Sequence, residues 1–191
     1  MKSRLIRAAA RSRASAEAAV HPFGRFRVSW ARWCWASVFG AIVAGAVATA
    51  VQVALWLLLT DAFPEIFYRD ARLAAAIVLG PTVLASRAGF DPYVMAVAST
   101  VHFALSIAYA AVFCSLTRRL PILANALVGA MLGGGLYALN MYGFTALFPW
   151  FIATRDWITL FAHIVFGASC TLACRWAAAR LSHAGPPAIK T

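Results

Sequence analysis

Carboxylates are scarce in this chain: among 191 residues only six are Asp or Glu, and charges of both signs together make up 12%. A soluble domain carries about 25% charged residues, so the shortage excludes that class before any motif is considered. The usual signatures of catalysis are missing as well. There is no CxxC or CxxCH pair, no HExxH helix, no phosphate-binding loop and no nucleophile elbow. Zinc ribbons, zinc proteases, c-type haem attachment, nucleotide hydrolysis and serine hydrolase chemistry drop out together, and the chain reads as a non-enzyme.

Hydrophobic residues are what the chain has instead, at 63% with a mean hydropathy of +0.77. A bilayer core about 30 Å thick takes about 20 helical residues to cross. Four runs suffice: 36–59, 93–116, 122–148 and 157–179. The expected fold is therefore an all-α membrane protein, a bundle of four transmembrane helices. The fifth apolar run, LAAAIVLGPTVLA at 73–85, is short and interrupted by Gly80-Pro81, where proline removes a backbone donor. It is predicted to be a re-entrant or interfacial helix between the first two spans, covering the mouth of the bundle.

Charge placement orients the chain, because Lys and Arg accumulate on the cytoplasmic side of short loops. With four spans, eight basic residues from Lys2 to Arg32, the Arg118-Arg119 pair, and Arg175, Arg180 and Lys190 share one side with only Glu17. Asp61, Glu65, Asp70, Asp91 and Asp156 fall on the other. Both termini are thus expected in the cytoplasm. A cytoplasmic tail over 1–33, a membrane domain over 34–180 and a short tail over 181–191 follow. The formal charge of +11 lies mostly in the first tail, with Arg4, Arg7 and Arg11 on one helical face. Anionic headgroups attract such a segment by about 1 kcal/mol per basic residue, so the lipid bilayer, and not nucleic acid, is the expected partner. Trp30, Trp33, Trp35 and Trp176 at the inner ends, and Trp56, Trp150 and Trp157 at the outer ends, suit interfacial belts.

Each span carries one face of small and polar residues at helical spacing, as helices need where they approach closely in lipid. The first gives Ala41, Gly45, Thr49 and Gln52. The second gives Ser99, His102, Ser106 and Tyr109. Ala126, Gly129, Gly133, Tyr137 and Asn140 line the third, and Thr159, His163, Gly167, Cys170 and Cys174 the fourth. At a rise of 1.5 Å per residue, Gln52, His102, Asn140 and His163 lie about 9 to 13 Å below the outer ends, one strong hydrogen-bonding side chain per helix in a common layer. His102 and His163 are predicted to meet directly or through Asn140, Gln52 or water. The cysteines all fall toward the inner ends, which suggests reduced thiols. Cys170 and Cys174, one turn apart, read as small packing residues, with no metal or other cofactor implied.

The stretches VHFALSIAYAAVFC (101–114), ALVGAMLGG (126–134), FPW (148–150) and FAHIVFG (161–167) resemble the small bacterial inner-membrane proteins of the YagU type, over about residues 93–176. The resemblance implies an inner-membrane location and directs attention to His102 and His163; it brings no settled activity. Three roles stay open for the polar layer. It is structural, in a homo-oligomer or as an accessory subunit of a larger membrane complex; it is a pathway or binding site for protons or a small polar solute; or the histidines ligate haem or a metal. Two histidines and two amides make a poor metal set, and four spans without an inverted repeat make a poor rocking transporter.

Overall fold

A computed structural model describes residues 22–85 and 89–183, and every regular element among them is helical. Five α-helices follow in order: α1 (Pro22–Leu59), α2 (Glu65–Leu79), α3 (Pro92–Thr117), α4 (Ile122–Ala138) and α5 (Trp157–His183). Four segments are long and apolar enough to cross a membrane: Trp30–Leu59 in α1, Pro92–Thr117, Ile122–Ala146 and Trp157–Leu181. The chain divides into two compact units, Met1–Trp35 and Ala36–Thr191. In the first, Trp30 and Trp33 stack with ring centroids 4.9 Å apart; the basic face formed by Arg4, Arg7 and Arg11 lies outside the described residues. Helix α1 starts at Pro22, so the expected boundary after residue 33 falls inside a helix, and α5 runs three residues beyond the expected 180.

The second unit is organised by glycine. Helices α4 and α5 touch backbone to backbone: a Cβ added to Gly133 would collide with the His163 carbonyl oxygen, and one added to Gly167 with the Gly129 carbonyl oxygen. In lipid, where apolar side chains gain little by leaving one apolar neighbour for another, such close approach is a main source of helix association. The seam is locked toward one end by polar groups. Asn125, fully buried, donates to the Thr117 carbonyl at 3.1 Å, and its own carbonyl accepts from Thr171 Oγ1 at 3.1 Å.

Helix α3 begins cleanly because the Asp91 carboxylate accepts from the backbone N–H groups of Tyr93 and Val94, with Pro92 at the first helical position. The opposite end of α4 is less regular. The third span was expected to run as helix to 148, but the α-helix stops at Ala138 and continues as a π-helical turn over Leu139–Gly143 and a 3-10 turn over Phe144–Ala146. A wide turn leaves carbonyls without helical donors, and Arg155 supplies them: its Nε donates to the Met141 carbonyl at 2.6 Å while a terminal nitrogen donates to Thr145 Oγ1 at 2.8 Å.

Helix α2 also differs from expectation, spanning 65–79 instead of 73–85, with Gly80 at a φ of 81° ending it before a 3-10 turn over Pro81–Ala85. Ala75 on α2 packs with Val94 and Ala98 on α3, and Trp150 Nε1 donates to the Leu73 carbonyl at 3.0 Å. At 15 residues it does not reach spanning length. Of the expected aromatic belt, Trp30, Trp35, Trp157 and Trp176 are exposed, whereas Trp56 is buried in the bundle.

The seam generates a direct test. Gly133→Ala and Gly167→Ala are expected to destabilise the bundle by about 1–3 kcal/mol, because backbone, not a yielding side chain, occupies the space. Gly135→Ala, where nothing lies within 4 Å, is expected to stay within about 0.5 kcal/mol. Thermal unfolding of the three variants in one detergent measures the contrast.

Candidate functional site

The seam sets the register of the polar layer. With Gly133 against the His163 backbone, the residues one and two turns further along the same face of α4 are Tyr137 and Asn140. Side chains on a helix lean toward its N-terminus, so His163 on the antiparallel α5 leans toward them. Tyr137 meets the His163 ring edge-on at 5.7 Å, and Asn140 Nδ2 lies 3.4 Å from His163 Nε2.

Protons along this chain can be placed by chemistry. His163 Nδ1 lies 2.8 Å from the Thr159 backbone carbonyl, which can only accept, so Nδ1 carries the hydrogen. In the neutral ring Nε2 then accepts from the Asn140 amide, whose Oδ1 accepts from the Tyr109 hydroxyl at 3.0 Å. A protonated ring would need the Asn140 amide to turn over and present its oxygen. On the other side, Gln52 Nε2 donates to Thr159 Oγ1 at 3.4 Å, and that hydroxyl donates to Asp156 Oδ2 at 3.2 Å. Asp156 also accepts from the Thr159 backbone N–H at 2.8 Å, capping α5. One network, continuous through Thr159, thus joins α1, α3, the turn after α4, and α5.

The network borders a space. A cavity of about 320 Å³ is lined by Thr49 and Gln52 of α1, His102, Ser106 and Tyr109 of α3, Asn140 past the end of α4, and His163 of α5. Its other walls are apolar: Ala74 and Ile77 of α2, Leu105, Leu136, Met141, Phe144, Phe148, Phe151 and Phe166. The four expected layer residues therefore do share one site, with His102 set apart from the network. No hydrogen bond joins the two histidines among the described residues; His102 lies against Gly45, where an added Cβ would come within 3.1 Å of its Nε2, and edge-on to Phe103 at 5.1 Å.

Of the supporting stripe, Thr49, Ser106 and Tyr109 line the cavity, while Tyr137 and Thr159 are buried behind it. Ser99 is a correction: it is exposed and lines nothing, because at its level α3 turns Val94 and Ala98 toward α2. Arg155 and Met141 were not singled out from the sequence, and Asp156 was counted only as a loop charge. For Asp156 the signal was position, since an Asp immediately before a helix can supply its cap. The thiols are a second correction. Cys114 and Cys174 form a disulfide joining α3 to α5, and Cys170 stays free and buried beside them. Helical spacing paired Cys170 with Cys174 on one helix and could not bring in a residue 60 positions away.

No family model, no curated protein and no solved structure matches this chain, and nothing in those comparisons links it to the YagU-type family. What the site can do follows from its geometry. A chain of neutral donors and acceptors along one wall and aromatic rings along the others suits a small, mostly apolar molecule with one or two polar groups.

Two measurements probe the site. Asn140→Leu strips partners from both Tyr109 and His163 and is expected to cost about 1–2 kcal/mol; Tyr109→Phe is expected to cost about 0.6, and the double variant less than the sum, in thermal unfolding. The second concerns Asp70 on α2, whose carboxyl burial pushes up to about 6 despite the Arg69 guanidinium 2.7 Å away. The folded state holds this proton more tightly than the unfolded chain, where the value is 3.8. That stabilisation is complete below about pH 4 and is lost as pH rises through about 6. Asp70→Asn is therefore expected to raise the melting temperature at pH 7.5 and to leave it unchanged at pH 3.5.

Proposed function

We propose that this chain is a small polytopic membrane protein whose bundle binds a small amphiphilic molecule in the cavity beneath α2. The observation that carries the reading is that the polar network lines space instead of filling it. A layer that served only to hold helices together would be packed solid, as Asn125, Thr117 and Thr171 are toward the other end, where all three are fully buried and bond to backbone carbonyls. Here Gln52, His102, Asn140 and His163 border about 320 Å³, within the size range of ligand pockets and enough for about ten waters at liquid density.

A through pathway for protons or solute is the weaker reading. Below the cavity Ala44, Ala48, Ala110, Phe113, Leu136 and Phe166 form a continuous apolar cluster, with Phe113 and Phe166 edge-on at 6.3 Å. Tyr109 packs at its edge, and among the described residues no side chain of the six carries a hydrogen-bonding group that continues the network. The site would thus open at the α2 end alone, where α2 forms part of the wall. The distribution of Arg and Lys supports both termini in the cytoplasm, which puts the cavity in the outer half; a bacterial inner membrane is what the YagU-type resemblance alone implies.

The test is retention of a ligand. Native mass spectrometry of the chain released from nanodiscs is expected to show one bound molecule of low mass per chain. Ala74→Phe, which projects a ring into the cavity from α2, is expected to lose it with the helix content unchanged. A wild-type chain that releases only lipid, in the same amount as Ala74→Phe, would refute the binding role.

A further inference from the structure

Past the Phe113–Phe166 pair, toward the ends of α3 and α5 that carry Arg118 and Arg175, lies a second cluster of reactive side chains. The sulfur atoms of Cys114, Cys170 and Cys174 all lie within 4.8 Å of one another, and all three residues are buried. Cys170 and Cys174 stand one turn apart on α5, and Cys114 comes from α3. Helix α1 closes the third side: a Cβ on Gly40 would collide with Cys174 Sγ, so only glycine lets it approach.

We propose that in the reduced chain these three cysteines form a binding site for a single soft monovalent cation, copper(I). The donor set selects the ion. Three sulfurs with no fourth ligand suit copper(I), which is content with two or three soft donors, whereas structural zinc takes four. Among the described residues no carboxylate can complete a zinc site: Asp61, Glu65, Asp70, Asp91 and Asp156 all lie on α2 or in or beside the connections at its end of the bundle. His163 is seven residues before Cys170 on α5, about 10 Å along the helix. The walls are apolar, with Ala41, Ala44, Phe113 and Phe166 in the same cluster. They keep out water and the hard oxygen donors that would compete for the site. Arg118, Arg119 and Arg175 place positive charge at this end, which offsets the net negative charge of copper(I) held by two or more thiolates.

The disulfide makes the site conditional. A dithiol reductant supplies two electrons and two protons, the Cys114–Cys174 bond breaks to give two thiols, and the reductant leaves as its own disulfide. Copper(I) then enters with release of one proton for each thiol that becomes a thiolate. Oxidised, the site keeps one free sulfur and has no means of holding the ion.

The experiment uses the full chain in detergent, reduced with a dithiol that is then removed under anaerobic conditions. Copper(I) is titrated in competition with a chromogenic bathocuproine chelator. One ion per chain is expected, with sulfur-to-copper charge-transfer absorption in the ultraviolet. Cys114→Ala and Cys170→Ala are each expected to weaken binding at least about 100-fold, because each removes one of three sulfurs and the helices hold the remaining two in a trigonal, not a linear, arrangement. Cys34→Ala, outside the cluster, is expected to bind as wild type does. Comparison of the reduced and oxidised wild-type chains needs no substitution and guards against misfolded variants; only the reduced chain is expected to bind. Loss of the ion to the chelator by reduced wild type, unchanged affinity in Cys170→Ala, equal binding by the oxidised chain, or zinc(II) held as tightly as copper(I) would each overturn the assignment.

Discussion

The contact of two backbones at Gly129, Gly133 and Gly167 is the constraint from which most of this bundle follows. Helices in lipid gain little by hiding apolar side chains, so their register has to come from steric fit and from hydrogen bonds. At this seam the fit admits almost no sliding, because the atoms that would meet a Cβ on Gly133 or Gly167 are carbonyl oxygens and backbone nitrogen. Once Gly133 sits on the His163 backbone, helical periodicity carries Tyr137 to the His163 ring, and Asn140 reaches it from the start of the π-helical turn that follows. Toward the other end the same register brings the Thr171 hydroxyl to the Asn125 carbonyl. The two sets of polar contacts do not choose the register independently; each is satisfied only in the one that the glycines allow.

A second constraint acts where that register ends. If α4 continued as regular helix to residue 148, its side chains would run straight past α5 to the surface. Instead the π-helical turn over Leu139–Gly143 widens the backbone beside Asn140 and frees the Met141 carbonyl. Arg155 takes up that carbonyl and lies over the Tyr142 ring, 4.4 Å from its centroid. The strand of chain that follows returns through Pro149–Thr154 to place Phe148 and Phe151 on the cavity and Trp150 on α2. The cavity is therefore a consequence of how α4 stops, and α2 has a partner to rest on because it stops there.

This explains why some of the architecture was legible and some was not. The four spans and the small-residue faces could be read because they rest on composition and on a period of 3.6, both local properties. Gln52, Asn140 and His163 were found in one layer for the same reason, since depth along a helix is a count of residues. The end of α4 was hidden: MYGFTALFPW is as apolar as the helix before it, and hydropathy cannot distinguish an α turn from a π turn. Ser99 was misplaced because periodicity names a face without saying what packs on it, and here α2 takes the neighbouring face of α3 at Val94 and Ala98. Cys114 was missed as a partner of Cys174 because the approach depends on how α3, α5 and α1 cross, and Gly40 signals that closeness only once the helices are in place. Asn125, fully buried, was passed over since one amide in ILANALVG leaves the hydropathy of the run unchanged.

What separates the two chemically distinct regions is a plug built from ordinary residues. Phe113 and Phe166 stand between the oxygen- and nitrogen-lined cavity and the sulfur cluster, and Phe166 belongs to the walls of both. Each region needs that barrier for a different reason. Hydrogen bonds of the Tyr109, Asn140 and His163 chain strengthen when water reaches them from one side only, because the effective dielectric constant falls. The sulfur cluster, in turn, stays a site of soft donors alone, because the barrier keeps the oxygen and nitrogen donors of the cavity away from it. A bundle with a polar path through this level would serve neither. The apolar middle, which hydropathy alone would read as mere membrane anchor, is thus the part that lets one small bundle hold two sites of opposite chemical character.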